Sequence, residues 1–523
     1  MNIRKIGIIV GVIALLAVAG AFGVKWKFET DVRNNIESFF AALPQPMSVK
    51  AEKIDVSFFD KSVTLTNVAS SYVMHIRTGE KEEALPITGT AARVIAKGVN
   101  IDGFNPGAGT VKLLDQLVFE NFVTDIPMAK TQVERYEFNN ISADFSLVVT
   151  EFKKGIPILI ASSDNPQEFL DAEVLKKTMR AVADILKATE TIHIGSESFT
   201  NYAYSLDIDG ENMDMLVKSG KAQDYSIRKI HSNTMNDVTF SFAGKQVAVI
   251  GNLSSDEIIL PSFVKIFEVL AEDPMPHMVQ DALKGQPFAI KNLRLKNLRI
   301  THVITQAPLF ALGDITVNYA AEDLHRMNFA VNGLDINKSL LVETLGAPAD
   351  VLASLPDTIT FEGVIDQTIA IKEGYVFDLD CKKIFVKGTG LGEAALSFAV
   401  NNINVMASMM GMPNTSALQH FDAKVSDQGF TNVFFALDAH HSDITPEESR
   451  TTEVESLRNQ LAADPDQPGK EILAGLANFL EQPGGTLHIA AKPEQPGTIE
   501  QLLQAYLQNP ASLGLSVIFT PGK

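Results

Sequence analysis

Between residues 49 and 405 the chain returns again and again to one pattern, apolar and polar residues in alternation. That pattern restricts the possible folds more than any other feature. Ser62-Val63-Thr64-Leu65-Thr66-Asn67-Val68 is the cleanest case, and residues 49–58 alternate less regularly before it. A period of two sends alternate side chains to opposite faces of a strand. Phe59-Asp60-Lys61 supplies a bend, so residues 49–68 read as a hairpin. Comparable segments are 93–101, 116–123, 133–149, 225–230, 237–250, 288–303, 314–319, 327–336, 358–371, 375–386 and 394–405. Their polar alternate positions predict antiparallel sheets with one buried face and one wet face.

A weaker repeat runs inside these segments. An apolar residue, a spacer, Asn and a second apolar residue recur at Leu65-Thr66-Asn67-Val68, Phe119-Glu120-Asn121-Phe122, Ile290-Lys291-Asn292-Leu293 and Leu295-Lys296-Asn297-Leu298. Looser copies are Phe138-Asn139-Asn140-Ile141, Val331-Asn332-Gly333-Leu334 and Asn401-Asn402-Ile403. Asn tolerates left-handed or bulged backbone, which suits strand ends. The irregular spacing supports a long antiparallel sheet over a strict solenoid. Residues 290–300, IKNLRLKNLRI, are not a simple two-period strand, because Leu293 and Leu295 differ in parity from Leu298 and Ile300. A bulge near Lys296-Asn297 would return all four to one side and send Arg294 and Arg299 to water. Leu293 and Leu295 then line either a groove or a filled core.

Helical spacing interrupts the strands. Phe28, Val32, Ile36, Phe39 and Phe40 form a stripe that Pro44 and Pro46 end. Residues 167–189, 261–271 and 338–355 read as further helices, the last broken near Gly346-Ala347-Pro348. Such helices cover sheet faces. From Met406 the composition shifts to a methionine cluster, then a strand and turn over 421–435. Thr445, Pro446 and Glu448 form a capping-box sequence opening a helix to Leu461. A helix at 470–480, a strand at 485–491, a helix at 498–507 and a strand at 513–520 complete the chain.

At the start, the run from Ile6 to Val24 has no charged or strongly polar residue. About 19 residues at ~1.5 Å each span roughly 28 Å, close to the ~30 Å hydrocarbon core of a bilayer. Arg4 and Lys5 precede it, and Lys25-Trp26-Lys27 follow. A cleavable signal peptide shares the basic start and the small residues Ala17, Ala19 and Ala21. The length of the run and its flanking Trp favour a retained anchor, with the bulk outside the cytoplasm.

The expected fold is therefore β-rich α+β. An N-terminal transmembrane helix precedes long, curved antiparallel sheets with covering helices and a small α+β C-terminal module. The expected divisions are an anchor at 1–27, an amphipathic connecting helix at 28–46, a strand-rich body at 47–405, as one unit or two, and the terminal module at 406–523.

Charge and cysteine content narrow the partners. The 523-residue chain carries 44 Lys and Arg against 63 Asp and Glu, a net charge of −19, which argues against nucleic acid. One cysteine, Cys381, excludes an intramolecular disulfide and a multi-cysteine zinc site. No phosphate loop, zinc-protease helix or nucleophile elbow occurs. His440 and His441 read as a surface loop, Cys381 as a buried thiol, and Asp207, Asp209, Gly210 and Glu211 as a solvated hairpin turn. The expectation is no catalytic residue, no metal and no cofactor.

One anchor followed by an acidic, disulfide-free, strand-rich body resembles the AsmA-like group of bacterial envelope proteins. The likeness rests on the run from Ile6 to Val24, on the text KIDVSFFDKSVTLTNV within residues 49–68, and on the Asn-bearing strands. It covers about the first two-thirds of the chain. The final hundred residues depart from it, and their PGGTLHIAAKPEQPGTIEQLL text resembles the ends of uncharacterised bacterial envelope proteins. The resemblance implies a single-pass protein of the bacterial inner membrane, its bulk in the periplasm, with groove-forming sheets linked to phospholipid traffic. Two classes of function stay open. One is a membrane-anchored envelope protein that binds or conveys lipid in a sheet groove. The other is a structural or partner-binding envelope protein whose sheets are filled by their own side chains.

Overall fold

The computed structural model describes residues 28–41, 47–57, 59–78, 81–104, 107–164, 172–208, 210–272, 286–321, 324–345, 352–372, 376–404, 416–465, 467 and 469–522. These residues form a β-rich α+β protein with long antiparallel strands. The run from Ile6 to Val24 and the methionine cluster at 406–412 lie outside them. Among the described residues, no helix is long and apolar enough to cross a membrane. Two compact units divide the chain between Ala289 and Ile290.

The first unit is an antiparallel meander. Helix α1 (Phe28–Ala41) leads to β1 (Ser48–Ser57), β2 (Ser62–Thr78), β3 (Lys81–Lys97), β4 (Val111–Ile126) and β5 (Ala129–Ala143). Helices α2 (Phe145–Asp164) and α3 (Ala172–Thr189) follow, then β6 (His193–Ile208), β7 (Glu211–Tyr225), β8 (Lys229–Phe242), β9 (Lys245–Ser255), a short β10 (Glu257–Ile259) and α4 (Phe263–Glu272). From β1 to β9 each strand pairs with the next, and β10 adds to β8. Helix α1 packs on β1, where Ile36 is fully buried and Arg33 Nε donates to the Ile54 carbonyl over 3.1 Å.

Several expected segments are corrected. Residues 133–149 are not one strand: β5 stops at Ala143 and α2 begins at Phe145, with Asp144 Oδ1 accepting from Leu147 N. Residues 225–230 hold the turn between β7 and β8, and 237–250 hold the turn between β8 and β9. Strands β6 and β7, over 193–225, did not stand out in the sequence.

The Asn positions explain how these strands keep one apolar face. Asn67, Asn121, Asn201 and Asp237 have φ of +48°, +48°, +49° and +51°, the left-handed region, inside β2, β4, β6 and β8. All four side chains are exposed. Register does not shift across them: Thr66 faces Lys53 and Val68 faces Ala51, with Asn67 opposite Glu52 between. What changes is parity. Val63 and Leu65 are buried before Asn67, whereas Val68 and Ser70 point inward after it, with Ala69 and Ser71 exposed. In β4, Phe119 and Phe122 are both buried, three residues apart. One left-handed residue thus returns the apolar side chain to the inner face, with Asn favoured there because its short polar group tolerates the conformation. At Asn67, Asn121 and Asn297 the repeat falls inside strands, whereas Asn140 and Asn402 stand close to strand ends.

The inner face of this unit is a transverse row, Ile54–Leu65–Val94–Phe119–Tyr136–Phe199–Gly220–Met235–Leu253, one residue from each of β1 to β9. The row continues apolar while its burial falls. Leu65 and Phe119 are 1% and 5% exposed, but Tyr136, Phe199, Met235 and Leu253 are only half-buried. Gly220 belongs to this row because the Phe199 ring lies over it: a Cβ there would sit 2.2 Å from Phe199 Cζ. Gly220→Val is expected to lower stability by about 1–3 kcal/mol through overpacking, read as a shift in the urea unfolding midpoint.

The second unit is built on strands β11 (Phe288–Thr301), β12 (Pro308–Ala321), β13 (His325–Asn337), β14 (Thr358–Ile371), β15 (Val376–Gly388), β16 (Gly392–Asn404), β17 (Ala417–Asp427), β18 (Thr486–Ala491) and β19 (Ser516–Thr520). Helix α5 (Lys338–Leu345) follows β13, α6 (Phe430–Ser442), α7 (Pro446–Ala463) and α8 (Lys470–Glu481) lie between β17 and β18, and α9 (Ile499–Gln508) precedes β19. From β12 to β19 each strand pairs antiparallel with the next. Strands β18 and β19 therefore extend the same sheet past β17. Thr445 caps α7 in a reciprocal capping box with Glu448. The segment 421–435 is corrected: β17 ends at Asp427, and α6 begins at Phe430.

Candidate functional site

In the second unit, register brings apolar residues from eight strands into line. Val317, Phe329, Ile365, Ile384, Leu396, Ala423, Ile489 and Val517 face one another in sequence from β12 to β19. Two residues along one side runs Ile315–Val331–Gly363–Val386–Ala394–Val425–Leu487–Phe519. On the other side runs Tyr319–Met327–Gln367–Cys381–Phe398–Phe421–Ala491. These three rows share a face because side chains alternate along each strand. A register shift between Asp366 and Gln367 keeps Cys381 in line with Ile384. The opposite face carries rows such as Asn318–Asn328–Asp366–Lys383. One face is therefore apolar and the other polar, as the alternation requires.

The apolar face is closed at its margins. Leu352, Leu355, Ile359 and Val433 form a buried cluster with Phe361 and Leu391 packed on it. Helix α8 packs on β18 and β19. Its Gly475 allows that approach, since a Cβ there would lie 2.5 Å from Val517 Cγ1. Between these margins Val317, Phe329, Ile365, Ile384 and Leu396 are only half-buried. Six strands from β12 to β17, at ~4.8 Å spacing, span roughly 24 Å across the sheet.

Few polar groups interrupt the face. Tyr319 Oη lies 2.7 Å from His325 Nδ1, and burial raises the Tyr319 hydroxyl above its ordinary pKa. Gln367 Nε2 reaches Met327 Sδ at 4.0 Å. Cys381 is buried, and burial, with the charges of Asp380 and Asp366 adding, pushes its thiol pKa up. A raised pKa disfavours thiolate chemistry. The face can exclude water and contact hydrocarbon.

Leu293 and Leu295 sit in β11, which neighbours β12. Both are half-buried, as are Leu298 and Ile300, while Arg294 and Arg299 are exposed. Asn292 and Asn297 have φ of +47° and +54°, so parity changes twice within this strand. Asn292 N donates to Asn318 Oδ1 over 2.7 Å.

His440 and His441 stand on the last turn of α6, not in a loop, both exposed, with ring centroids 5.7 Å apart. Among the described residues no three His, Cys, Asp or Glu side chains gather as metal ligands do. Asp207 Oδ1 accepts from Gly210 N in the turn between β6 and β7.

Sequence reasoning missed Asp427. It is 3% exposed at the end of β17, and its carboxylate collects several donors. Oδ1 accepts from Gly429 N at 3.0 Å and Thr431 N at 3.1 Å, and Oδ2 from Thr431 Oγ1 at 2.6 Å and Gly484 N at 2.9 Å. Burial raises the carboxyl pKa, but these bonds, that from Thr431 Oγ1 first, outweigh it and lower the pKa. Asp-x-Gly-x-Thr at 427–431 was the available signal, a carboxylate placed to cap the start of α6.

A family model described as an uncharacterized protein matches residues 385–518, from within β15 into β19. No curated protein and no solved structure matches the chain.

Proposed function

We propose that this chain is a membrane-anchored envelope protein of AsmA-like type, held by the run from Ile6 to Val24, whose apolar sheet face binds lipid acyl chains. The row from Val317 to Val517 carries the reading. Eight strands align apolar side chains that stay half-buried along the middle of the row. Hydrocarbon laid on such a face gains about 0.8 kcal/mol per buried methylene. The acidic net charge of −19 suits a protein whose contact with lipid is apolar instead of a broad electrostatic docking on anionic headgroups.

Full-length protein extracted in mild detergent is expected to yield phospholipid by mass spectrometry. Leu295→Asp and Ile365→Asp should each cut the bound lipid several-fold. Both should leave the unfolding free energy within about 1 kcal/mol of wild type, because water reaches a half-buried carboxylate. A loss of several kcal/mol in both variants, without lipid in the wild type, indicates a filled core and supports the partner-binding class instead. Protease digestion of spheroplasts and N-terminal sequencing test the location: a body resistant to protease, or a mature start at Gly20 or Phe22, removes the anchored periplasmic part of the reading.

A further inference from the structure

Away from the apolar rows, the first unit contains a cleft of about 670 Å³ where the ends of β6, β7 and β8 meet β10. That volume lies in the range of small-molecule sites. Arg228 stands in its wall, in the turn between β7 and β8. The backbone there is held firmly: Ser226 N donates to the Lys229 carbonyl over 2.7 Å, and Leu260 N to the Arg228 carbonyl over 2.8 Å. The side chain is half-buried, and its Nε is fully buried with no hydrogen-bond partner among the described residues. Charges of both signs surround it, and the exposed Asp224 carboxylate also lines the cleft. Lys229 Nζ pairs with Glu257 over 2.8 Å, and Glu190 Oε1 accepts from Ser262 Oγ over 2.8 Å. His193 and His231 line the same cleft with exposed rings, each able to donate a hydrogen bond.

We infer that this cleft binds a phosphate-type oxyanion carried on a small organic body, with Arg228 as its principal ligand and His193 and His231 as flanking donors. A guanidinium never loses its proton in a protein, and a buried N–H such as that of Arg228 Nε is unfavourable without an acceptor. Its planar fork matches two oxygens of a phosphate, which a lysine ammonium does not. Phosphate on a soluble metabolite and phosphate in a lipid headgroup share that chemistry. The inference does not rest on the acyl-binding reading, because the cleft and the apolar rows use different residues.

The test uses full-length protein in detergent, titrated with inorganic phosphate, glycerol phosphate and a short-chain phosphatidylglycerol, with binding read by calorimetry. Wild-type protein is expected to bind at least one of the three. Arg228→Gln should weaken that binding at least tenfold, Arg228→Lys should recover only part of it, and His193→Ala and His231→Ala should each weaken it several-fold without moving the unfolding midpoint. Preference for glycerol phosphate identifies a soluble source, and binding confined to the phosphatidylglycerol identifies a headgroup. Absence of binding by all three probes overturns the inference, as does wild-type affinity in Arg228→Gln. Should Arg228→Gln not fold, the two exposed histidine variants decide: unchanged affinity in both overturns it. Loss of acyl lipid in Ile365→Asp with phosphate binding intact separates this site from the apolar rows.

Discussion

Asp427→Ala is expected to destabilise the second unit by about 3–5 kcal/mol, measured as the change in urea unfolding free energy at pH 7. The carboxylate is buried and receives Gly429 N, Thr431 N, Thr431 Oγ1 and Gly484 N. Alanine leaves those donors without an acceptor, and the buried ones, Thr431 N and Oγ1, cost about 1–3 kcal/mol each. Thr431 is itself 1% exposed, so water cannot readily replace the lost acceptor at its hydroxyl. Asp427→Asn preserves the shape but turns an amide N–H₂ toward donors, and should still cost about 2–3 kcal/mol. The pH dependence follows the same bonds. The folded-state pKa lies below the unfolded one, so the folded state holds fewer protons on this group. Its contribution is complete above the unfolded value of about 3.9 and is lost as pH falls through the folded value. Wild-type stability should decline on acidification from about pH 4 downward, and Asp427→Ala should lack that component. A variant with wild-type stability would mean that β17, α6 and the turn at Gly484 are held together by packing alone.

The fold class was legible because alternation survives wherever a sheet has one apolar face. Residues 288–303, 327–336, 358–371 and 394–405 read as strands and form β11, β13, β14 and β16 within a few residues. The failures lie where local preference and tertiary context disagree. Val148 and Val149 are β-branched and read as strand, yet they belong to α2, whose start is set by Asp144 capping and whose Val148 is buried. In α6, Phe430, Val433, Phe434 and Phe435 likewise favour strand. The chain turns there because Gly429, at φ +146°, and the Asp427 carboxylate set the helix start. Strands β6 and β7 place Glu197, Gly220 and Ala222 in line with the inner-face residues of their neighbours, so their alternation is faint.

The candidate site was legible only in part. Alternation indicates that each strand owns an apolar face. It does not say which residues of neighbouring strands stand opposite one another. The line from Val317 to Val517 exists because the hairpins, together with the shift between Asp366 and Gln367, fix every register. A slip of one residue would send Ile365 to the polar side. Cys381 shows the same limit: nothing around it in sequence places it between Gln367 and Phe398. The unpaired Nε of Arg228 depends on which acceptors fall near it in space, which a linear pattern does not record. Asn, by contrast, left a readable trace. Asn67, Asn121, Asn140, Asn292, Asn297 and Asn402 all sit in the repeat and all have positive φ. Asn201, Asp224 and Asp237 do the same work without matching the repeat closely enough to be noticed.

That trace leads to the second large effect. Asn121→Val is expected to cost about 2–4 kcal/mol although the side chain it removes is exposed. Two outcomes are open to the variant chain. It keeps the left-handed backbone, which costs an ordinary L-residue roughly 1–2 kcal/mol and a β-branched one more. Or the substituted position relaxes to extended backbone, parity reverts to simple alternation, and either Phe119 or Phe122 turns outward. Those rings are 5% and 7% exposed and touch edge to face with centroids 5.8 Å apart. Exposing one forfeits about 1.5–3 kcal/mol of burial and the ring contact as well. Asn121→Gly should lie within about 1 kcal/mol of wild type, because Gly enters this region freely and loses only chain entropy. Asn121→Ala should fall between. The stability order Asn, Gly, Ala, Val contradicts strand propensity, which ranks Val first. Equilibrium unfolding of the three variants measures it. If Val equals or exceeds Ala, the left-handed residue is dispensable, and the paired inward Phe119 and Phe122 must be held by their neighbours Val94, Val133 and Tyr136 instead.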